Sequence, residues 1–335
     1  MNTFKALVIR VAEDGSVSRA VKERSPEDLP RGEVTVRVRY SSLNYKDALS
    51  ASGHRGVTRR YPHTPGIDAA GTVEDSTDSR FRSGESVLVM GYDLGMNTPG
   101  GFGEYIRVPA DWVMKIPYRI GMKESMIYGT AGFTAAQSLD AVVEHGVAPA
   151  DGPVLVTGGT GGVGVLASAM LVRAGYSVTA VSGKTALHGF LRDAVGVSEV
   201  LGRDALEDTS GRALSPERWA AVIDTVGGNV VSAVLKKVMY RGIVTTCGNV
   251  AGAEFTSTVY PFILRGVHLA GIDSAQCPMN NRHRIWSRIS HEWKLDSTLL
   301  NSLCEECTLE SISGHIDRML RGEHSYRTVL VHREP

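Results

Sequence analysis

Cysteine is scarce in this 335-residue chain: there are four, Cys247, Cys277, Cys304 and Cys307, none in the first two-thirds. Cys304 and Cys307 form a C-x-x-C, but a zinc site built on it needs two more ligands and no second pair exists. The segment around it is not next to a βαβ pattern, so a redox pair is disfavoured and the thiols read as inert and reduced. Long apolar runs are also missing. Nothing approaches the roughly 20 apolar residues that span a bilayer. The opening run, Phe4 to Arg10, is too short and interrupted for a signal-peptide core, so the expected location is the cytoplasm, off the membrane. Charge of either sign is not in excess: 36 Lys and Arg face 36 Asp and Glu. A nucleic-acid partner normally demands a basic face, so none is expected, though a local anion site remains open. There is no internal repeat and no low-complexity tract.

What is present suits two packed domains. Apolar residues make up 42 % of the chain, and its length fits two domains at roughly 100–200 residues each. Residues 1–120 are strand-rich. Val34 to Tyr40 alternates apolar and polar, as a half-buried strand does; Ser86 to Met90 and Tyr105 to Val108 read as further strands. After residue 120 the pattern changes. Pro153 to Thr157 is a continuous apolar run suited to a strand covered on both faces. A glycine turn follows, then a helix from Gly162 to Ala174. Strands at Ser177–Val181, Ala220–Asp224, Ile243–Thr246 and Val267–Ile272 alternate with helical stretches. That alternation predicts an α/β, parallel, doubly wound sheet. Helices are expected at 282–294 and 311–321. A closing strand, Arg327 to His332, needs a sheet to join, and the N-terminal strands are the simplest partner, which makes that domain discontinuous.

Gly159-Thr160-Gly161-Gly162-Val163-Gly164 fits G-x-G-x-x-G. It follows a strand, opens a helix and lies in a βαβ unit, the context the motif requires. Glycine lets the backbone approach a pyrophosphate, and the helix N-terminus offers free N–H groups. An NAD site places an acid about 20 residues further on. This chain has Ser182-Gly183-Lys184 there. A hydroxyl and an ammonium hold a 2′-phosphate that a carboxylate repels, so the expected cofactor is NADPH.

With these motifs the chain resembles the zinc-free, quinone-oxidoreductase-like medium-chain dehydrogenase/reductase family. The resemblance runs in order through Ser42-Leu43-Asn44-Tyr45-Lys46-Asp47, Pro65-Gly66-Ile67-Asp68-Ala69-Ala70-Gly71, Gly129-Thr130-Ala131-Gly132-Phe133-Thr134-Ala135 and the glycine turn. Within the family it is most similar to the acryloyl-CoA reductase subgroup, through Ala180 to Lys184, Ile223 to Gly227, Pro261 to Arg265 and Gly271 to Ser274. The resemblance implies a GroES-like β-rich catalytic domain from residues 1–124 and 297–335, and a Rossmann domain from 125–296 that binds NADPH, the cofactor lying in the cleft. It implies a homodimer. Matching positions for cofactor contacts are Tyr45, Thr130, Thr160, Gly161, Gly162, Val163, Ser182, Gly183, Lys184, Arg203, Asn249, Ile263, Ser274 and Arg327. Lys184 stands where Arg is common, and Tyr326 where Gly is common. Zinc-containing relatives carry Cys near Asn44 and Gly-His-Glu near Gly66; here those places read Asn44 and Gly66-Ile67-Asp68, so no metal is expected.

The implied reaction is hydride addition to the β-carbon of a 2-enoyl thioester, acryloyl-CoA giving propanoyl-CoA. Charge then builds on the thioester oxygen and needs donors. Asn44 and Tyr45 are the candidates; Asp47 is a candidate acid or, more simply, a cap. Arg55, Arg59 and Arg60 form a basic loop that suits CoA phosphates, or is only a solvated face. Two rival functions stand beside this one: an NADPH:quinone oxidoreductase, and an NADPH-binding structural or regulatory protein without turnover.

Overall fold

The structure, a computed structural model, describes residues 3–207 and 211–332. Among the described residues fifteen strands succeed one another: β1 Phe4–Val11, β2 Val17–Arg24, β3 Val34–Leu43, β4 Asp68–Ser76, β5 Ser86–Met90, β6 Tyr105–Val108, β7 Val113–Lys115, β8 Val154–Val156, β9 Val178–Val181, β10 Glu199–Leu201, β11 Trp219–Asp224, β12 Val238–Thr246, β13 His268–Gly271, β14 Cys304–Cys307 and β15 Arg327–Val331. Contacts divide the chain into two compact units. The first takes Met1–Thr130, Ala275–His283 and Leu300–Pro335; the second takes Ala131–Ser274 and Arg284–Leu299.

The first unit is a β assembly. Its seven-stranded sheet runs β14-β15-β3-β4-β5-β7, with β6 also paired to β3, and β1-β2 form a separate hairpin. The alternation read in Val34 to Tyr40 follows from β3 being the shared strand: Val34, Val36 and Val38 are buried with Val73, Val87 and Ile106. The C-terminal strand does join this sheet. β15 lies antiparallel to β3, Leu330 opposite Ser41. A helix at Ile312–Leu320 turns Ile312 and Ile316 onto Leu43, Ala48 and Leu330.

The second unit holds a wholly parallel sheet ordered β10-β9-β8-β11-β12-β13. Numbered from β8, this is 3-2-1-4-5-6, the order of the dinucleotide-binding fold. The order reverses between β8 and β11, and ligands of such sheets bind beyond the carboxyl ends of the strands at that point. All three residues of β8 and all six of β11 are buried, as a sheet covered on both faces demands. The helix α3, Gly162–Arg173, follows β8 directly; α1, Tyr45–Ala51, and α2, Met122–Glu144, precede it in the chain. The helix expected at 282–294 runs instead over Met279–Ser290. Its start hides behind Arg282, a buried cation that donates to the carbonyls of Met90, Ala275 and Cys277 and lies 4.3 Å from the Tyr92 ring centre. An apolar periodicity cannot register a buried arginine.

Candidate active site

In the second unit the site is the loop cluster at the carboxyl ends of β8, β9 and β11. Gly161 caps α3 with extended backbone (φ −77°, ψ 165°) and no side-chain cap, so the amides of the first turn are left for a ligand. The helix can start this close to the strand because residue 164 is glycine: a Cβ there would stand 2.2 Å from the Gly158 carbonyl oxygen. Thr160 and Ser182 are buried and joined hydroxyl to hydroxyl at 2.9 Å, which ties the glycine turn to the loop after β9. The Ser182 hydroxyl also accepts from the Lys184 backbone N–H at 3.1 Å. Arg203 lies across Gly183, its Nε 2.7 Å from where a Cβ would sit. Two cations, Lys184 and Arg203, therefore attend this loop. Gly161, Gly162 and Val163 are half-buried on the turn, Asn249 is exposed in the loop after β12, Ile263 is 67 % exposed and Ser274 half-buried.

Behind the loops stands Asp224, which sequence reasoning quoted in a motif but gave no role. It is buried at the end of β11 and accepts from Thr157 Oγ1 at 2.8 Å, Thr246 Oγ1 at 2.9 Å and the Gly227 N–H at 2.9 Å. Thr225 bonds back to Thr157 twice. One carboxylate thus pins the loops of three neighbouring strands. A lone Asp closing an otherwise apolar strand was the available signal.

In the first unit the helix α1, Tyr45–Ala51, begins at Asn44. Its third residue, Asp47, is buried and accepts three backbone N–H bonds: Asn44 at 2.9 Å, Gly66 at 3.0 Å and Ile67 at 2.8 Å. Burial and the neighbouring Asp68 carboxylate push Asp47 up to about 7, against the pull of those amides. The geometry makes it a clamp between α1 and the 66–67 loop. Asp68 collects four donors: Ser42 Oγ at 2.5 Å, Asn44 Nδ2 at 2.8 Å, the Thr130 N–H at 2.9 Å and Thr130 Oγ1 at 2.6 Å. Asn44 Nδ2 also donates to the Ser42 carbonyl at 3.3 Å, so both its N–H bonds are engaged. Arg327, 2 % exposed, donates from Nε to the Ile127 carbonyl at 2.9 Å and from Nη1 to Leu43 O and Asn44 Oδ1, each at 3.3 Å. Burial pulls its guanidinium below the usual range, while Asp68 works the other way. Tyr45 is 39 % exposed at the head of α1. Tyr326, where glycine is common, keeps a glycine-like backbone at φ 59°.

Arg55, Arg59 and Arg60 are exposed. Arg55 donates to the Arg59 carbonyl at 2.8 Å and lies 5.4 Å from the Tyr61 ring centre, which stiffens the loop.

Residues 30–118 match the alcohol dehydrogenase GroES-like domain family. The chain is 43 % identical over 327 residues to a putative quinone oxidoreductase, YhfP, of Bacillus subtilis, covering 98 % of both. The solved YhfP structure with NAD bound agrees at TM-score 0.95, 41 % identity, over 99 % of this chain and 100 % of that one. Identity to the acrylyl-CoA reductase AcuI of Ruegeria pomeroyi is 42 % over 328 residues, again 98 % of both. The YhdH oxidoreductase of Salmonella enterica, solved with NADP, agrees at TM-score 0.94, 39 % identity, over 98 % and 100 %. The chain belongs to the quinone-oxidoreductase-like medium-chain dehydrogenase/reductase family.

In this medium-chain reductase Asn44 and Asp68 are bonded to each other within one cluster with Ser42 and Thr130. Among the described residues no group of three or more His, Cys, Asp or Glu is arranged to hold a metal ion. Nor is any helix among them long and apolar enough to cross a membrane. All four cysteines are free. Burial pushes Cys247 and Cys307 up to about 12, leaving them thiols at neutral pH. Cys304 and Cys307 stand three apart on one strand, so they point to opposite faces.

Proposed function

We propose that this protein reduces the C=C bond of acryloyl-CoA to propanoyl-CoA with NADPH. The loop after β9 carries the reading: where an NAD site holds a carboxylate, this loop presents Ser182, Lys184 and the overlying Arg203. The residues fit the cofactor. The bare first turn of α3 suits a pyrophosphate, and the two cations suit a 2′-phosphate. When bound, NADPH supplies the hydride.

The chain's own part is orientation and charge. As hydride reaches the β-carbon, negative charge grows on the thioester oxygen. Tyr45, 39 % exposed at the amino end of α1, can donate to it from its hydroxyl. Asn44, the residue before it, has its own side-chain amide engaged by Ser42 and Asp68. Asp47, holding three amides, serves the loop. Arg55, Arg59 and Arg60 offer exposed charge to the CoA phosphates; among the described residues none of them forms an ion pair. Likeness to AcuI favours the thioester. Likeness to YhfP at similar identity supports a second reading, quinone reduction.

Steady-state turnover decides between them. The expected result is a kcat/KM for acryloyl-CoA at least about tenfold above that for 1,4-benzoquinone, because the CoA handle supplies binding energy remote from the reacting carbons. Quinone turnover without thioester turnover sinks the proposal, and no turnover of either returns the protein to a binding role. Lys184→Ala should weaken NADPH binding by about 1–3 kcal/mol and leave NADH nearly unchanged, since only NADPH brings the 2′-phosphate. Equal losses for both, measured by fluorescence titration, would remove Lys184 from that site.

A further inference from the structure

The cluster around Asp68 is more elaborate than folding requires. A fully buried carboxylate with four donors, facing a buried guanidinium, is expensive, and apolar residues of similar volume commonly stabilise a fold as well or better. Its four donors come from two stretches far apart in sequence: Ser42 and Asn44, where β3 passes into α1, and Thr130 in the helical stretch that starts at Met122. Both carry functional candidates. Asn44 immediately precedes Tyr45, and Thr130 is itself a candidate cofactor contact.

The charges also select one orientation of the Asn44 amide. Its Nδ2 faces the Asp68 carboxylate and its Oδ1 faces Arg327 Nη1. Flipping that amide would set N–H against guanidinium and oxygen against carboxylate. Arg327 additionally holds the Leu43 and Ile127 carbonyls. Thus the Leu43 carbonyl and the Asn44 side chain, on the near side of Tyr45, are held by Arg327, and the Thr130 N–H by Asp68.

We infer that Asp68, with Arg327 opposite it, is a positioning residue for hydride transfer: it fixes the amino end of α1 under Tyr45, and Thr130, in one geometry. It touches neither hydride donor nor acceptor. This rests on the reductase reading. Misplacement by an ångström can cost about 100-fold in rate without abolishing binding.

The test is Asp68→Asn, which keeps shape but turns one acceptor into a donor against Thr130 or Asn44. NADPH affinity is read by fluorescence titration apart from turnover. Turnover is followed with acryloyl-CoA and with 1,4-benzoquinone, using NADPH and its 4-deuterated form. The expected result is an NADPH Kd within about threefold of wild type, kcat down roughly 30-fold, and a larger primary isotope effect, because hydride transfer has become limiting. A kcat within about threefold of wild type and an unchanged isotope effect overturn the inference. If Asp68→Asn fails to fold, Thr130→Val decides, since it removes the Oγ1 bond to Asp68 and keeps the one from the Thr130 N–H: a lower kcat with a raised isotope effect and an NADPH Kd within about threefold of wild type supports positioning, and any other result overturns it. Wild-type turnover of quinone alone defeats the substrate reading, while the isotope effect on quinone turnover still tests Asp68. Wild-type turnover of neither acceptor defeats both.

Discussion

Asp47→Ala is expected to destabilise the β-rich unit by roughly 3–5 kcal/mol. The substitution leaves three buried amides, those of Asn44, Gly66 and Ile67, without an acceptor. An orphaned buried donor costs about 1–3 kcal/mol. The full sum is not reached, because the same change removes a carboxylate that is itself desolvated and set near Asp68. Urea denaturation of the variant and the wild type measures the difference. A loss below about 1 kcal/mol would show that the amides find other partners.

Asp47→Asn separates the clamp from its charge. The Asn carbonyl oxygen can still accept from Gly66 and Ile67; only the bond from Asn44 is lost. The sign of the pH dependence follows from the raised pKa, 3.8 in the ordinary carboxylate and about 7 here. Between those values the folded chain binds a proton that the unfolded chain has released. Asp47 therefore makes stability fall as pH rises through that window, and makes no further change above it. The Asn variant lacks this slope. Relative to wild type it should gain stability between pH 5 and pH 8, and a parallel pair of stability curves would argue that Asp47 is already ionised at pH 5.

Much of this was readable along the chain, and what was not has a common cause. Val154 to Val156, the glycine turn and α3 are contiguous in sequence, so local periodicity and spacing expose the whole strand–turn–helix unit. β15 was legible as a strand lacking a partner. The hairpin β1-β2 was not, because β2 has no fully buried residue and so shows no apolar alternation. Asp68 was visible only as a residue standing where relatives have another. Its partners Ser42, Asn44 and Thr130, and Arg327 behind Asn44, are scattered over most of the chain, and no window of sequence contains them together. The same holds for Arg282, whose acceptor at Met90 lies 192 residues away. Composition suggests that a buried charge is costly; only the fold shows how it is compensated.

Gly129→Ala should be about as damaging as the loss of Asp47, for two independent reasons. Gly129 interrupts the helical segment Met122–Glu144 with φ 50° and ψ −157°, a conformation nearly reserved for glycine, and forcing another residue there costs about 1–3 kcal/mol. A Cβ at this position would also stand 2.6 Å from Ser42 Oγ, 2.7 Å from Asp68 Oδ2 and 3.0 Å from Arg327 Nη2. None of these can move freely. Ser42 is bonded to Asp68, Asp68 to Thr130, and Arg327 to the Ile127 and Leu43 carbonyls. Overpacking of a fixed cluster adds about 1–3 kcal/mol, for a total of roughly 2–6 kcal/mol. Gly84→Ala is the control: Gly84 lies in the same unit with φ 85° but nothing within 4 Å of its would-be Cβ, so it carries the backbone penalty alone, about 1 kcal/mol. Denaturation of both variants gives, as the difference between them, the crowding together with any extra backbone strain of the Gly129 conformation. If Gly129→Ala costs no more than Gly84→Ala, the cluster yields to the extra methyl group, and the rigidity ascribed to Asp68 and Arg327 is absent.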